Sequence, residues 1–539
     1  MSDDRLILGV DAGTSRIRAI VFTPAGRPVA EGSRPTPVER PRPGWAEHAP
    51  EALWQAACGA LRDAIAQVSG PARIAGLAVA SVGEAFVALD RQGRPTCSTI
   101  AWYDERPKAE LARLEARVGK ERLHALTGLA PDPTFSLCKL LWLQANQPDA
   151  LARTVLWLNV AHYLAWRLTG VPGADLSLAS RTLALDVGRR AWAEELIREV
   201  GLEPSMFAPI RPWGSRLSLV SAEAAAATGL TTACAVGVAG HDHITGALAA
   251  QALRPGVLLN SLGSAEALTL ALERPSAAPE LLTRGYSQGV VEVSGETPVH
   301  YIFGGFPTSG ACIEWFRALF AADVPHERLI AAAETVPAGC HGVTFVPDLR
   351  GRISPVPDPE ARGAWFGLGA DATAATLYRA VLEGLAFEAR LTIDDLARLP
   401  GLQPIEQIRA IGGNTRNPLL LRIKASVYRR PVVAAERAEA TALGAALLGG
   451  LAAGVFPSLA TALAGLTAED AIVRPESAWT ESYEAHYQAV YRPAYAALRP
   501  LRHAARRQNQ QPAARTDLSG STPDSASADS LDGRGPAAS

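Results

Sequence analysis

Residues 6–22 read LILGVDAGTSRIRAIVF, two short apolar runs separated by a small polar turn. The first run, Leu6 to Val10, closes at Asp11 and Gly13, and the second resumes at Ala19, the pattern of a β-hairpin. Much later the chain repeats this outline: Gly256 to Asn260 is apolar, Leu262-Gly263-Ser264-Ala265 is a small-residue turn, and Glu266 to Leu272 is apolar again. The recurrence predicts two related α/β domains meeting near residues 250 to 256. Length agrees, because 539 residues exceed what one hydrophobic core organises, and two domains leave a cleft for ligands.

Outward from the first hairpin, Pro50 to Val68 has helical periodicity. Ile74 to Ala80 is a strand ending at Ser81-Val82-Gly83-Glu84, and Ala85 to Leu89 is a further apolar run. Residues Thr134 to Val200 are expected to be largely helical. Ala233 to Ala239 runs as a strand into Gly240-His241-Asp242-His243 and then a helix, which puts an acidic residue at the carboxyl edge of a strand, where open α/β sheets place ligands. Helices are expected at Ala370 to Leu396 and Pro418 to Val427, with a strand at Ile408 to Ile411 leading into Gly412-Gly413-Asn414. Beyond about Pro500, Arg502 to Arg507 is basic and the remainder is Gln, Ser, Asp, Ala, Gly and Pro with almost no apolar residues, so residues 501–539 are expected to form a disordered tail.

A composition of 48% hydrophobic and 20% charged residues with net charge -2 describes a folded globular protein. No Lys/Arg run tracks a phosphate backbone, so no nucleic-acid partner is expected. The six cysteines are scattered without a C-x-x-C, which argues against disulfides and structural zinc and favours a reducing, cytoplasmic setting. The start, MSDDRLILGV, lacks the basic region of a signal peptide. The longest uncharged apolar stretch, Ala440 to Phe456, is too short to span a bilayer, so no membrane partner is expected.

The glycine turns carry the chemistry. In Asp11-Ala12-Gly13-Thr14-Ser15, glycine admits close backbone approach, and the N–H groups and two hydroxyls suit phosphate oxygens. Asp11 suits Mg²⁺, directly or through water. A plain hairpin turn with Asp11 bonded to its own backbone remains the alternative. Gly263-Ser264 would be the matching phosphate cradle, and Gly412-Gly413-Asn414 would lay backbone against a flat ligand such as adenine. Asp242 is the best candidate for the base that accepts a proton from an alcohol during phosphoryl transfer. His241 and His243 either touch substrate or pack in the turn. Walker A, protein-kinase, Rossmann and G-x-S-x-G motifs do not occur.

Read together, these segments resemble the FGGY family of carbohydrate kinases, with the actin and sugar-kinase superfold. The resemblance runs in order from about residue 6 to 500: GVDAGTSRIRAIVF, PGWAEHAPEALW, SVGEAFVALDRQGRP, TIAWYDERP, SLCKLLWL, GHDHITGAL, LNSLGSAEAL, EGLAFEAR, AIGGNTRNPLLLRIKASVYRRPV and EATALGAAL. It implies a fold of two related α/β domains of the actin-like ATPase/sugar-kinase (ribonuclease H-like) type with an interdomain cleft. Residues 1–250 would form the sugar-binding domain and 251–500 the nucleotide-binding domain.

The implied reaction is in-line transfer from ATP, with Asp242 as base and Asp11 and Asp242 placing Mg²⁺. Asp11, Gly13, Thr14, Ser15, Arg18, Gly263, Ser264, Gly412, Gly413 and Asn414 would hold the nucleotide. Glu84, Trp102, Asp104, Arg106, His241 and His243 would line the acceptor site. The expected acceptor is a small sugar, a ketose such as a pentulose or hexulose. A short-chain polyol, or an inactive nucleotide- and sugar-binding homologue, is the alternative, and homodimerisation is left open.

Three departures bear on the acceptor and the nucleotide. Val82-Gly83-Glu84-Ala85 stands where the family's ketose enzymes often have a Gln-Met-His-Gly type of sequence. The family's glycerol kinases have adjacent Arg-Glu there, of which only Glu84 is kept. RIKAS replaces the commoner Q-I-x-A-D, and Ser264 replaces Thr.

Overall fold

The computed structural model describes residues 4–104, 106–435, 439–467 and 470–510. The opening hairpin is β1 (Leu6–Ala12) against β2 (Arg16–Phe22), antiparallel with Val10 opposite Ala19. β3 (Pro28–Pro35) extends it, and after α1 (Pro50–Ile65) β4 (Ile74–Ser81) returns parallel to β1. β5 (Arg216–Leu219) and β6 (Ala235–Gly237) complete a six-stranded sheet in the order β5-β6-β4-β1-β2-β3.

The stretch expected to be largely helical is mixed. It contains α2 (Ser136–Asn146) and a helix at Val160–Thr169, but between them Leu156–Asn159 is a strand paired antiparallel with Phe86–Leu89. Aromatic packing decides this: Trp157 lies 5.3 Å from Phe86 and 5.2 Å from Phe207, ring centre to ring centre. The polar turn after β6 opens α3 (Asp242–Ala249).

The second half repeats the first. β7 (Val257–Leu262) and β8 (Glu266–Leu272) form a hairpin with Leu259 opposite Thr269. β9 (Ser287–Val291) and β10 (Val299–Phe306) follow, then α4 (Gly310–Phe320) and α5 (Ala374–Leu396). β11 (Gln407–Ile411) runs parallel to β7, as β4 does to β1. α6 (Pro418–Tyr428), β12 (Val432–Ala434), α7 (Ala440–Ala452) and β13 (Ala471–Val473) complete a seven-stranded sheet in the order β9-β10-β8-β7-β11-β12-β13.

α7, built from Ala, Gly, Leu and Thr, is buried on nearly every side. It lies on the first sheet so closely that a Cβ on Gly9 of β1 would overlap the carbonyl oxygen of Ala442. Its other flank meets α3, where Gly444 abuts the Thr245 carbonyl. One cluster joins Ile7, Ile20 and Phe22 of the first sheet to Val257, Leu259 and Ile411 of the second through this helix. The two halves therefore share a core beside the turn that carries Asp242.

The chain ends differently from expectation at residue 501. α8 (Arg492–Gln510) continues through it, because Arg502 donates to buried Asp348 at 2.8 Å and His503 lies 2.8 Å from Asp358. The rest of the expected tail, 511–539, lies outside the described residues. Among the described residues all six cysteines are free, and no helix is long and apolar enough to cross a membrane.

Candidate active site

Asp242 occupies the first turn of α3 and keeps 21% of its side chain exposed. The turn before it is fixed from below. His241 N–H donates to Ser177 Oγ at 2.9 Å, and that hydroxyl donates to Asp175 Oδ2 at 2.6 Å. Asp175, wholly buried, also accepts from Trp213 Nε1 at 2.7 Å and lies 3.1 Å from His162 Nε2. A buried carboxylate satisfied on several sides is a rigid anchor.

Asp242 Oδ1 accepts from the His243 N–H at 2.6 Å and faces His241 Nε2 at 3.4 Å and His243 Nε2 at 4.0 Å. Burial, reinforced by the charge of Glu84, pushes its carboxyl up to about 7, against the His243 N–H and Arg181. Asp11, at the end of β1, is likewise pushed up to about 7 by burial and by the charge of Asp242, with Arg18 opposing. Burial and Arg181 bring His243 down to about 4 and hold His241 well below its ordinary value, so both rings are neutral near pH 7. The expected pair of carboxylates is thus brought together from two elements, with two neutral imidazoles at its rim.

The two turns expected to hold phosphate are distinct in kind. At the first, Gly13 N–H closes onto Arg16 O at 3.0 Å, Thr36 Oγ1 donates to Gly13 O at 2.7 Å, and Trp102 Nε1 donates to Thr14 Oγ1 at 3.0 Å. Arg18, expected at the nucleotide, pairs instead with Glu439 beside the start of α7 and so ties the two halves together. At the second turn, Gly263 O accepts from Gly310 N–H at 3.0 Å and from Asn414 Nδ2 at 3.0 Å, while Ser264 O accepts from Ser309 N–H at 2.8 Å. Gly263-Ser264, the start of α4 and the Gly412-Gly413-Asn414 turn therefore converge. A Cβ on Gly310 would sit 2.5 Å from Asn414 Nδ2 and 2.8 Å from Gly263 O. Beneath them, buried Glu266 accepts from Lys424 Nζ at 2.6 Å, Asn260 Nδ2 at 2.8 Å and Ser309 Oγ at 2.8 Å. Lys424, from the divergent RIKAS segment, is an internal counter-ion.

Among the residues expected to line the acceptor site, Glu84 adopts a left-handed backbone with φ 60°. Its carbonyl accepts from Ser136 Oγ at 3.0 Å and Lys139 Nζ at 3.1 Å, and its Oε1 accepts from Arg181 Nε at 2.6 Å. Lys139 Nζ also reaches Trp102 O at 3.5 Å, and Trp102 is 37% exposed. Asp104 and Arg106, expected against the acceptor, are buried in a network of their own. Arg106 donates through Nε and Nη2 to Asp104 at 2.9 and 2.7 Å and through Nη1 to Glu47 at 2.6 Å, and its guanidinium lies 3.8 Å from the Trp45 ring centre. Their polar atoms are taken up by each other, by Glu47 and by the Ala46 N–H, so they brace the loop that carries Trp102.

Three residues escaped the sequence reading: Asp175, Arg181 and Lys139 as an acceptor-side group. Lys139 carried a signal, a lone lysine on an apolar helix. Arg181 carried none, because its partner Glu84 lies 97 residues upstream, and Asp175 read as no more than a helix cap for Ser177 and Leu178, its link to Trp213 being distant in sequence.

Comparison with known proteins agrees with this geometry. The family model described as "FGGY family of carbohydrate kinases, N-terminal domain" matches residues 6–249, and its C-terminal counterpart matches residues 258–453. The glycerol kinase of Ralstonia nicotianae is 33% identical over 461 residues, 84% of this chain and 90% of that one. The glycerol kinase of Methylibium petroleiphilum is 32% identical over 466 residues, 84% of this chain and 91% of that one. Among solved structures, the xylulose kinase of Rhodospirillum rubrum superposes with a TM-score of 0.81 at 29% identity, over 93% of this chain and 100% of that one. The Plasmodium falciparum glycerol kinase with ADP shares the fold at 21% identity and TM-score 0.81, over 91% of this chain and 98% of that one. With both domain models matched in order, and each half built on a hairpin-based sheet, this chain belongs to the FGGY family of carbohydrate kinases, ATP-dependent phosphotransferases.

Proposed function

We propose that the chain transfers the γ-phosphoryl group of ATP to a hydroxyl of a short-chain polyol, with Asp242 as general base. The observation that carries this is the carboxyl of Asp242, pushed up to about 7 by burial at the first turn of α3. A base poised near the working pH can take a hydroxyl proton and still be ionised in a large fraction of molecules. As the acceptor oxygen attacks phosphorus in line, Asp242 receives its proton, and the neutral His241 and His243 add no competing charge. The Gly13-Thr14-Ser15 and Gly263-Ser264 turns hold phosphates, and Gly412-Gly413-Asn414 lies on the adenine side.

Asp11 and Asp242 would hold Mg²⁺. The fit is electrostatic, since each carboxyl is raised by burial and Asp242 raises Asp11 further, a repulsion that a divalent cation offsets. Magnesium commonly takes one or two carboxylates and fills its remaining positions with phosphate and water. When bound it neutralises phosphate charge. The polyol reading, in place of the ketose expected first, is supported by the glycerol kinases at 33% and 32% identity and by Glu84 at the segment where the ketose pattern is missing.

The test is a coupled ADP-release screen over C3 to C6 polyols, ketoses and aldoses, repeated with Asp242→Asn. Polyols should lead, and the variant should lose about 10²- to 10⁴-fold in turnover while still binding ATP. A ketose preferred by tenfold or more would refute the acceptor class. Near-normal turnover by the variant would refute the base.

A further inference from the structure

Glu84 is held by three different elements, and the way it is held leaves a defined part of it uncommitted. Its backbone is fixed by Ser136 and Lys139 of α2. Its side chain is held by Arg181, whose Nε and Nη2 both address the same oxygen, Oε1, at 2.6 Å. Among the described residues, Glu84 Oε2 and Arg181 Nη1 have no hydrogen-bond partner.

Arg181 is itself clamped. Its guanidinium lies 5.0 Å from the Phe135 ring centre and 5.2 Å from that of Phe303, with 13% of the side chain exposed. The Phe303 ring also faces His243 at 5.5 Å and His241 at 6.1 Å, the two imidazoles beside Asp242. One continuous wall therefore runs from the base, across Phe303, to the Arg181–Glu84 pair. Gly83 permits it, since even a Cβ there would lie 3.4 Å from Arg181 Cγ and 3.3 Å from the His241 ring.

We propose that Glu84 and Arg181 form a donor–acceptor fork that reads two neighbouring hydroxyls of the acceptor, with Arg181 as a specificity-determining residue. One hydroxyl donates to Glu84 Oε2 and its neighbour accepts from Arg181 Nη1. A carboxylate and a guanidinium locked side by side match a vicinal diol and leave one group unpaired when either hydroxyl is missing. A site built to hydrogen-bond a hydroxyl rejects the analogue lacking it much more strongly than an apolar pocket rejects a lost methylene.

This rests on the kinase assignment and refines the acceptor reading. The experiment compares the best wild-type acceptor with the analogue lacking the neighbouring hydroxyl: glycerol against 1,3-propanediol, which keeps a hydroxyl for transfer but loses the vicinal pair, or a ketose against its deoxy form if ketoses lead the screen. Wild type should prefer the vicinal diol by roughly 10- to 100-fold in kcat/KM. Arg181→Gln should remove most of that preference through acceptor KM, with ATP KM unchanged, and Arg181→Lys should restore part of it. Glu84→Gln gives a second route if Arg181→Gln fails to fold, and it too should lose the preference. The fork is overturned if wild type shows no such preference, if the variants slow both acceptors equally, or if ATP KM rises with acceptor KM. A ketose-preferring wild type overturns the polyol reading alone, because the same comparison then runs on the ketose pair.

Discussion

Replacing Lys139 by Met tests whether the acceptor wall is organised by a buried charge. The ammonium is fully buried, and its hydrogen bonds go to two carbonyls, Glu84 O at 3.1 Å and Trp102 O at 3.5 Å. Burial lowers it from 10.5 to about 8, with the charges of Glu84 and Asp104 opposing. That fall corresponds to about 3 kcal/mol against the charged form. Methionine relieves this cost but forfeits two bonds from a charged donor, about 1.5–3 kcal/mol each. The terms nearly cancel, so the variant should fold with a net loss of about 0–3 kcal/mol. Function should suffer more, since Glu84 and Trp102 lose their common tether: acceptor KM should rise by about tenfold, or about 1.4 kcal/mol, with ATP KM unchanged. Between pH 8 and 10.5 the unfolded chain binds more protons at this residue than the folded one, so Lys139 makes stability rise with pH across that window. Lys139→Met should flatten this rise, and wild-type acceptor KM should climb above pH 8 as the ammonium is lost. Steady-state kinetics with each substrate varied, and urea midpoints from pH 7 to 10, provide the measurements. Equal rises in both KM values, or unchanged acceptor KM with an unchanged pH slope, would refute the tether.

Because Asp242 must be ionised to accept a proton and burial holds its carboxyl up at about 7 in the free protein, acceptor kcat/KM should fall on the acid side, approaching about tenfold per pH unit, with its midpoint brought below 7 by the Mg²⁺ it would hold, and a profile flat to pH 4 would count against it as base. Gly310→Ala should raise ATP KM by about tenfold with acceptor KM unchanged, because its Cβ would sit 2.5 Å from Asn414 Nδ2; a nucleotide titration followed by fluorescence decides it. Gly9→Val should cost about 3 kcal/mol or more by driving β1 off α7, which a lowered urea midpoint or loss of soluble protein would report, whereas wild-type stability would show that the two halves do not depend on this contact.

How much of this was legible in the sequence follows from where the determinants lie along the chain. Both hairpins were, because apolar runs broken by a Gly-containing turn are local patterns: Glu266–Leu272 falls where the alternation put it, and β1 and β2 extend their expected runs by a few residues. The Leu156–Asn159 strand was not, since its partner Phe86–Leu89 is some 70 residues upstream and its apolar residues also fit a helix face. The glycine turns lie at strand ends where the local pattern put them, because glycine spacing constrains the backbone directly. Side-chain pairing was not legible: Asp104 and Arg106, taken from the family's W-x-D-x-R pattern, bond to each other, and Arg18, taken from its first phosphate motif, pairs with Glu439.

A charged residue in a sequence shows what it can bind without showing whether the fold has already supplied a partner. That distinction decides the acceptor wall. Asp104 meets a guanidinium two residues away that occupies both of its oxygens. Glu84 meets a guanidinium 97 residues away that occupies one oxygen and leaves the other open. The two carboxylates are alike in sequence, and only the geometry of their partners separates one with both oxygens engaged from one with an oxygen left for the diol contact proposed above.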